Sequence, residues 1–349
     1  MSKRLFNCIL TALCNHDTFW HQKLDCTGLP GLLTHQKMTA ALRMLAYGSC
    51  ADQCDEITRI GTTTTLECMK NFCSQVYMIF GARYLRTPTV ADITRLLRRA
   101  NQRGFPGMIG SIDCMHWEWK NCPTAWQGAY SGRKGRPTII LEAVASYDTW
   151  IWHSFFGVPG AQNDINVLHQ SDVFDALLAG RSPQVAFKVN GMTYHNTYYL
   201  ADGIYPRYFL FVKTIPNPQD PQQKLFAHKQ EAYRKDVERF FGILQSRWTI
   251  IQHLAMCHKL STLKIIILAC IIMHNMIVEE EFVDDDFVKT NEEDLQNPTS
   301  AFIVYDGPVD DQGNRIRLEQ VGRDQNPQRF ADALIDLESA YLHGGYKRI

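Results

Sequence analysis

The sequence contains no run approaching the ~20 consecutive apolar residues that a transmembrane helix requires; its longest candidate extends only from Leu263 to Met273. A helical membrane protein is thereby disfavoured, and a soluble chain without a membrane partner is predicted. CxxC pairs are missing too. The eleven cysteines are odd in number and irregularly spaced, which argues against a disulfide scaffold and for reduced thiols in an intracellular compartment. Cys50 with Cys54, and Cys114 with Cys122, each lack the second half that a zinc site needs, so small buried hydrophobes are their expected role. The opening MSKRLFNCIL has a basic start but no long apolar region with a small-residue cleavage site after it. It reads as the start of a helix.

Net charge is also absent, since 36 basic side chains balance 36 acidic ones. The balance hides an asymmetry: residues 279–349 hold 17 acidic and 7 basic side chains, leaving 29 basic against 19 acidic in residues 1–278. A basic body with an acidic tail suits a polyanionic partner such as nucleic acid. What is present is enough apolar material for a substantial core, 45% of 349 residues, and a length that suggests about two domains.

Strand signals are scarce in residues 1–103. Apolar residues recur at helical spacing in MTAALRMLAYG, LECMKNFCSQVYMIF and VADITRLLRRA. A helix ending at Gly48, a short one over about 51–59, a break at Gly61 and a Thr run able to cap the next helix outline a helix-turn-helix. The texture changes at Gly104. MIGSIDCMHWEW reads as a strand, PTIILEAVASYD and TWIWHSFFGV as a hairpin, and NDINVLHQSDVFDALLAG as a capped helix ended by Gly180. QVAFKVNG and TYYLADGIYP supply further strands around an Asn190–Gly191 turn. After the Pro-rich TIPNPQDPQQK comes a strong helix from about Lys229 to Trp248, then two more helices. Beyond Glu279 an acidic, partly disordered segment is expected, with one amphipathic helix in RFADALIDLESAYLH. The predicted organisation is α/β: a helical, helix-turn-helix-like domain over 1–103, a core over 104–278 with a mixed five-stranded sheet and flanking helices, and an acidic tail over 279–349.

The order strand, hairpin, helix, strand, long loop, helix matches an RNase H-like fold, which needs an acid in its first strand, one after its fourth and one on a later helix. Asp113 lies in the apolar strand MIGSIDCMHW, Asp202 follows TYYLA, and Glu238 lies at the edge of a helix face made of Tyr233, Val237, Phe240, Phe241 and Leu244. Three carboxylates converging without basic partners imply bound cations, and oxygen-only donors select Mg²⁺ or Mn²⁺, expected as two ions. Among competing acids, Asp164 is expected to cap a helix, Asp148 to sit in a turn, and Asp236 to face away from Glu238. His116 and His274 are expected to be satisfied buried histidines. Phosphate contacts are expected from Arg95, Arg98, Arg99 and Arg103, from Arg133, Lys134 and Arg136 in GRKGR, and from Arg234, Lys235 and Arg239 beside the glutamate. Trp117, Trp119 and Trp126 are expected to anchor core or loops.

The stretches RGFPGMIGSIDCMHWEWKNCPTAW, LEAVASYDTWIWHSFFGVPGAQNDINVL, YYLADGIYP, RKDVERFFGILQSRW and MHNMIVE together resemble the PIF/Harbinger family of DDE transposases and their domesticated nuclease relatives. The resemblance implies a nuclear, Mg²⁺-dependent DNA endonuclease and transposase, imported from the cytoplasm with a partner, with Asp113, Asp202 and Glu238 as its catalytic, metal-binding triad. It further implies a separate Myb-like DNA-binding partner and a homo-oligomer on two DNA ends. The alternative from another class is a domesticated, non-catalytic chromatin or protein-interaction component.

Overall fold

Ser2 Oγ accepts the Leu5 amide 3.1 Å away and starts α1 (Lys3–His16), whose buried stripe is Leu5, Ile9 and Leu13. In the computed structural model, which describes residues 1–132, 135–175, 184–189, 192–206, 208, 210–281 and 302–305, four more helices follow: α2 (Thr34–Tyr47), α3 (Ala51–Thr58), α4 (Thr62–Tyr84) and α5 (Val90–Gln102). The Thr run does not cap α4. Gly61 holds the cap position without a side-chain bond, and the threonines fall inside the first turn, where Thr65 Oγ1 donates to Ile60 O. Thr89 and Asp92 form a reciprocal capping box on α5.

Gly107, at φ 89°, turns the chain from α5 into β1 (Met108–Glu118), and a Cβ there would collide with the Phe187 ring. Strand β1 is the hub of a five-stranded sheet. After the short helix α6 (Gln127–Tyr130), β2 (Thr138–Ala145) pairs antiparallel with β1, and β3 (Ile151–Pro159) pairs antiparallel with β2, as the predicted hairpin. Helix α7 (Asp164–Gln170) ends at Ser171, so the predicted helix is shorter than expected, and its proposed stop at Gly180 lies outside the described residues. Strands β4 (Gln184–Val189) and β5 (Met192–Tyr194) form an antiparallel pair, with the Asn190–Gly191 turn also outside the described residues. Strand β6 (Tyr198–Leu200) then pairs parallel with β1, and β7 (Phe211–Val212) parallel with β6, giving the order β3-β2-β1-β6-β7.

Helix α8 (Pro221–Arg247) is eight residues longer at its start than the sequence reading, because Pro221 begins it instead of belonging to the preceding loop. The four-residue α9 (Thr249–Gln252) and the long α10 (Leu260–Glu281) follow. Helix α10 is long and apolar enough to cross a membrane by length and composition, but 78% of its most apolar window is buried inside the protein, against α4 and β3. Within the expected acidic tail, β8 (Phe302–Tyr305) pairs with β4, where the sequence reading has no strand. The FIVY run has the β-branched and aromatic content of a strand; the surrounding acidic residues masked it. The amphipathic helix expected in RFADALIDLESAYLH lies outside the described residues.

One apolar core crosses position 104 without interruption. It runs from Ile9, Phe72 and Leu97 through Leu141 to Phe240 and Ile271. The N-terminal helices therefore brace one face of the sheet directly.

Candidate active site

Helix α8 crosses the sheet where β6 leaves β1, and two buried contacts fix its placement. Gln230 Nε2 donates to Ala201 O (3.2 Å) and Val212 O (3.1 Å), and Ser111 Oγ donates to Tyr233 O at 3.0 Å. Residues four apart share a helix face, so Gln230, Arg234 and Glu238 form one stripe that passes over the middle of β1. Of the predicted core face, Val237, Phe240, Phe241 and Leu244 are buried, while Tyr233 is half-buried.

Asp113 lies on β1 under that stripe. Its Oδ1 accepts the Cys114 amide at 2.8 Å, and its Oδ2 lies 3.4 Å from Arg234 Nη1. The same nitrogen is 2.9 Å from Glu238 Oε1. Asp113 and Glu238 are thus brought together, and Arg234 stands between them. The sequence reading left these acids without a basic partner; the fold supplies one, because i, i+4 spacing carries Arg234 to Glu238 while the stripe lies over β1.

Burial pushes the Asp113 carboxyl up to about 6, with Asp164 and Glu238 adding to the rise and the Cys114 amide and Arg234 opposing it. Asp202 joins through the sheet. The parallel register pairs Ser111 with Leu200, and each acid follows its paired residue by two positions. Asp113 is still within β1, whereas Asp202 lies just past the end of β6, so both reach the same level of the sheet, where each neighbours Asp164. Asp202 accepts the Gly203 amide at 2.6 Å, and Lys213 Nζ holds the next turn by donating to Gly203 O and Tyr205 O.

Asp164 is not the helix cap. That role belongs to Asn163, whose side chain accepts the Asn166 amide. Asp164 instead turns toward the sheet, where burial raises its carboxyl, Cys114 donates to it, and Asp202 and Glu142 lie close enough to raise it further. Sequence reasoning passed over this fourth acid; the adjacent Asn163, an equally good cap one position earlier, was the available signal. It also passed over Glu142, fully buried on β2, which accepts from Ser171 Oγ at 2.5 Å.

The other expected residues sort by their partners. Arg95 donates to Asp148 at 2.6 Å and Arg103 to Asp236 at 2.6 Å, both half-buried and both stacked over the Tyr147 ring. Arg239 pairs with Asp236 at 3.1 Å and donates to Tyr147 O. Asp236 thus faces away from Glu238, as expected. Arg99 and Lys235 are exposed, Arg98 is half-buried, and Arg136 reaches Glu118 at 3.4 Å. Arg133 and Lys134 lie outside the described residues. His116 bonds Thr138 but is exposed on β1, because it falls on the outward face of the strand, so it is not the buried histidine expected; His274 is fully buried, as expected. Trp117 and Trp119 donate to His253 O and Cys257 O, anchoring β1 to the loop before α10, while Trp126 is exposed.

In donor chemistry the acids fit a hard divalent cation, offering only oxygen, with a partly desolvated Asp113 carboxyl among them. In geometry Arg234 holds the middle place, and among the described residues no three Asp, Glu, His or Cys side chains come close enough together to hold a metal ion.

A family model described as plant transposon protein matches residues 82–285, more than half of the chain and all of this site. The chain belongs to that family. The PIF/Harbinger resemblance read from the motifs is therefore borne out. A Homo sapiens protein named "Putative nuclease HARBI1" is 22% identical over 287 residues, covering 81% of this chain and 78% of the relative. The Bos taurus protein of the same name is 23% identical over 247 residues, covering 70% and 67%. No solved structure matches the chain. A relation to transposase-derived nucleases is thereby established.

Proposed function

We propose that this plant transposon family member is a metal-dependent DNA endonuclease and transposase with an RNase H-like core, and that Asp113, Asp202 and Glu238 are its catalytic acids. One observation carries the reading: an acid within β1 and an acid just past the end of β6 stand two positions beyond the same paired residues of neighbouring parallel strands, and a helix acid is held over the first of them. The sheet order β3-β2-β1-β6-β7, with an antiparallel hairpin beside parallel strands, supports the RNase H-like assignment.

Asp113, Asp202 and Glu238 would hold the Mg²⁺ or Mn²⁺ ions, expected as two, and Asp164 faces the same space. Bound there, such ions supply Lewis-acid activation of an attacking water or 3′-hydroxyl and stabilisation of the leaving oxygen. The chain's own part is to fix these acids on a strand, just past a strand end and on a helix, and to keep Asp113 partly desolvated. The exposed Arg99 and Lys235, together with Arg136, are the basic groups best placed for phosphate. Arg95, Arg103 and Arg239 hold Tyr147 and α8 in place through Asp148 and Asp236. In the proposed helix-turn-helix, exposed Asp52, Asp55 and Glu56 on α3 leave DNA contact to α4. The reading carries with it a nuclear location, a Myb-like DNA-binding partner and assembly on two DNA ends. A second reading, a domesticated non-catalytic component, is favoured by the central position of Arg234.

The deciding experiment is cleavage of a DNA substrate bearing candidate terminal repeats, with Mg²⁺ or Mn²⁺ and a Myb-like partner. Wild type is expected to cut, and Asp113→Asn, Asp202→Asn and Glu238→Gln, each folded by circular dichroism, to lose cutting. Absence of metal-dependent cutting by wild type under these conditions selects the non-catalytic reading.

A further inference from the structure

Arg234 does something the three acids alone do not require. A single guanidinium nitrogen contacts Asp113 at 3.4 Å and Glu238 at 2.9 Å, and the arginine side chain is only 17% exposed. The two carboxylates belong to elements far apart in sequence, and this nitrogen is the contact that joins them. An arginine cannot shed its charge by deprotonation; only movement takes that charge out of the site. A divalent ion placed between the same carboxylates meets a like charge a few ångströms away, in a partly buried site where water screens that repulsion weakly.

We infer that Arg234 is a built-in counter-ion, holding Asp113 and Glu238 together while no cation is bound, and that a divalent cation enters only by displacing its guanidinium. This inference rests on the metal-dependent reading above. Counting Asp113, Asp202, Glu238 and Arg234, the arginine-held state carries two net negative charges. Entry of one divalent ion, with the displaced guanidinium kept on the rim, brings that sum to zero. The exchange therefore removes the site's repulsion of a phosphodiester, so cation and DNA reinforce each other's binding.

The test is titration of the full chain with Mn²⁺ in the absence of DNA, following the free ion by electron paramagnetic resonance. Arg234→Met, which keeps the length and removes the charge, is expected to bind Mn²⁺ at least about tenfold more tightly than wild type. Arg234→Lys, which keeps the charge, is expected to stay near wild type, and adding Asp113→Asn to Arg234→Met is expected to abolish the gain. Should the methionine variant fail to fold, Arg234→Gln carries the same expectation. Equal or weaker binding by the neutral variant, with wild-type binding that still depends on Asp113, overturns the counter-ion role and leaves the metal reading standing. Binding by none of the proteins overturns both.

Discussion

Asn275 and Asp113 both carry polar side chains against the sheet, yet one is fully buried among neutral hydrogen-bond partners and the other is half-buried among charges. On α10, Asn275 Oδ1 accepts the Ile151 amide, while its Nδ2 donates to Tyr84 O and Ile151 O, each at 2.9 Å. The neighbouring His274 bonds Thr149 O at 2.9 Å. These groups stitch α10 to the start of β3 and to the end of α4. In the middle of β1, Asp113 has one amide and a shared arginine, with two further acids close enough to raise its carboxyl. Buried polar groups that are fully paired serve the fold; a carboxylate left partly desolvated among other acids stores affinity for something positive.

The comparison predicts a clean separation of effects. Asn275→Ala orphans two carbonyls and an amide, and should lower unfolding free energy by about 3 kcal/mol or more. Urea denaturation measures this, and a variant as stable as wild type would break the contrast at its strongest point. A smaller effect is expected at His274. Burial lowers its imidazole to about 4 from the usual 6.5, so the unfolded chain takes up the proton first. Stability should therefore fall as pH drops from above 6.5 toward 4, by up to about 3 kcal/mol, and His274→Gln should flatten that slope in urea midpoints measured across the window.

The smallest of these effects runs in the opposite direction. Asp113 is raised in the folded state, to about 6 from 3.8. Its ionised form is thus a cost that is full above pH 6 and fades as pH falls toward 3.8. Asp113→Asn should stabilise the protein at pH 8 by up to about 2 kcal/mol, with the gap closing below pH 6. A destabilised variant at pH 8 would place Asp113 with Asn275, as a structural residue.

The sequence carried the elements that periodicity and glycine punctuate. The hairpin of β2 and β3, the break at Gly48 and Gly61, and the strand around Asp113 all lie where the residues predict them. What it did not carry depends on contacts distant in sequence. Nothing local in YRKDVE reveals that Arg234 meets an aspartate 121 residues away, nor that Asn163 takes the cap and frees Asp164. Pro221 sat in a Pro-rich run and read as loop, although a proline in a first turn also starts a helix. The FIVY strand was hidden by acidic neighbours. The three acids were legible as candidates because each lies on a recognisable element; the arginine that joins two of them reads in the sequence only as a phosphate contact.

Gln230 has a consequence for how this chain can vary in length. By binding the carbonyls of both Ala201 and Val212, it keys α8 to the ends of β6 and β7 directly, without relying on the segment 214–220 that connects them. The distance between Asp202 and Glu238 is then set by a side-chain latch and nine residues of rigid helix. Insertions and deletions in that connecting segment can accumulate across a lineage while the spacing of the acids stays constant.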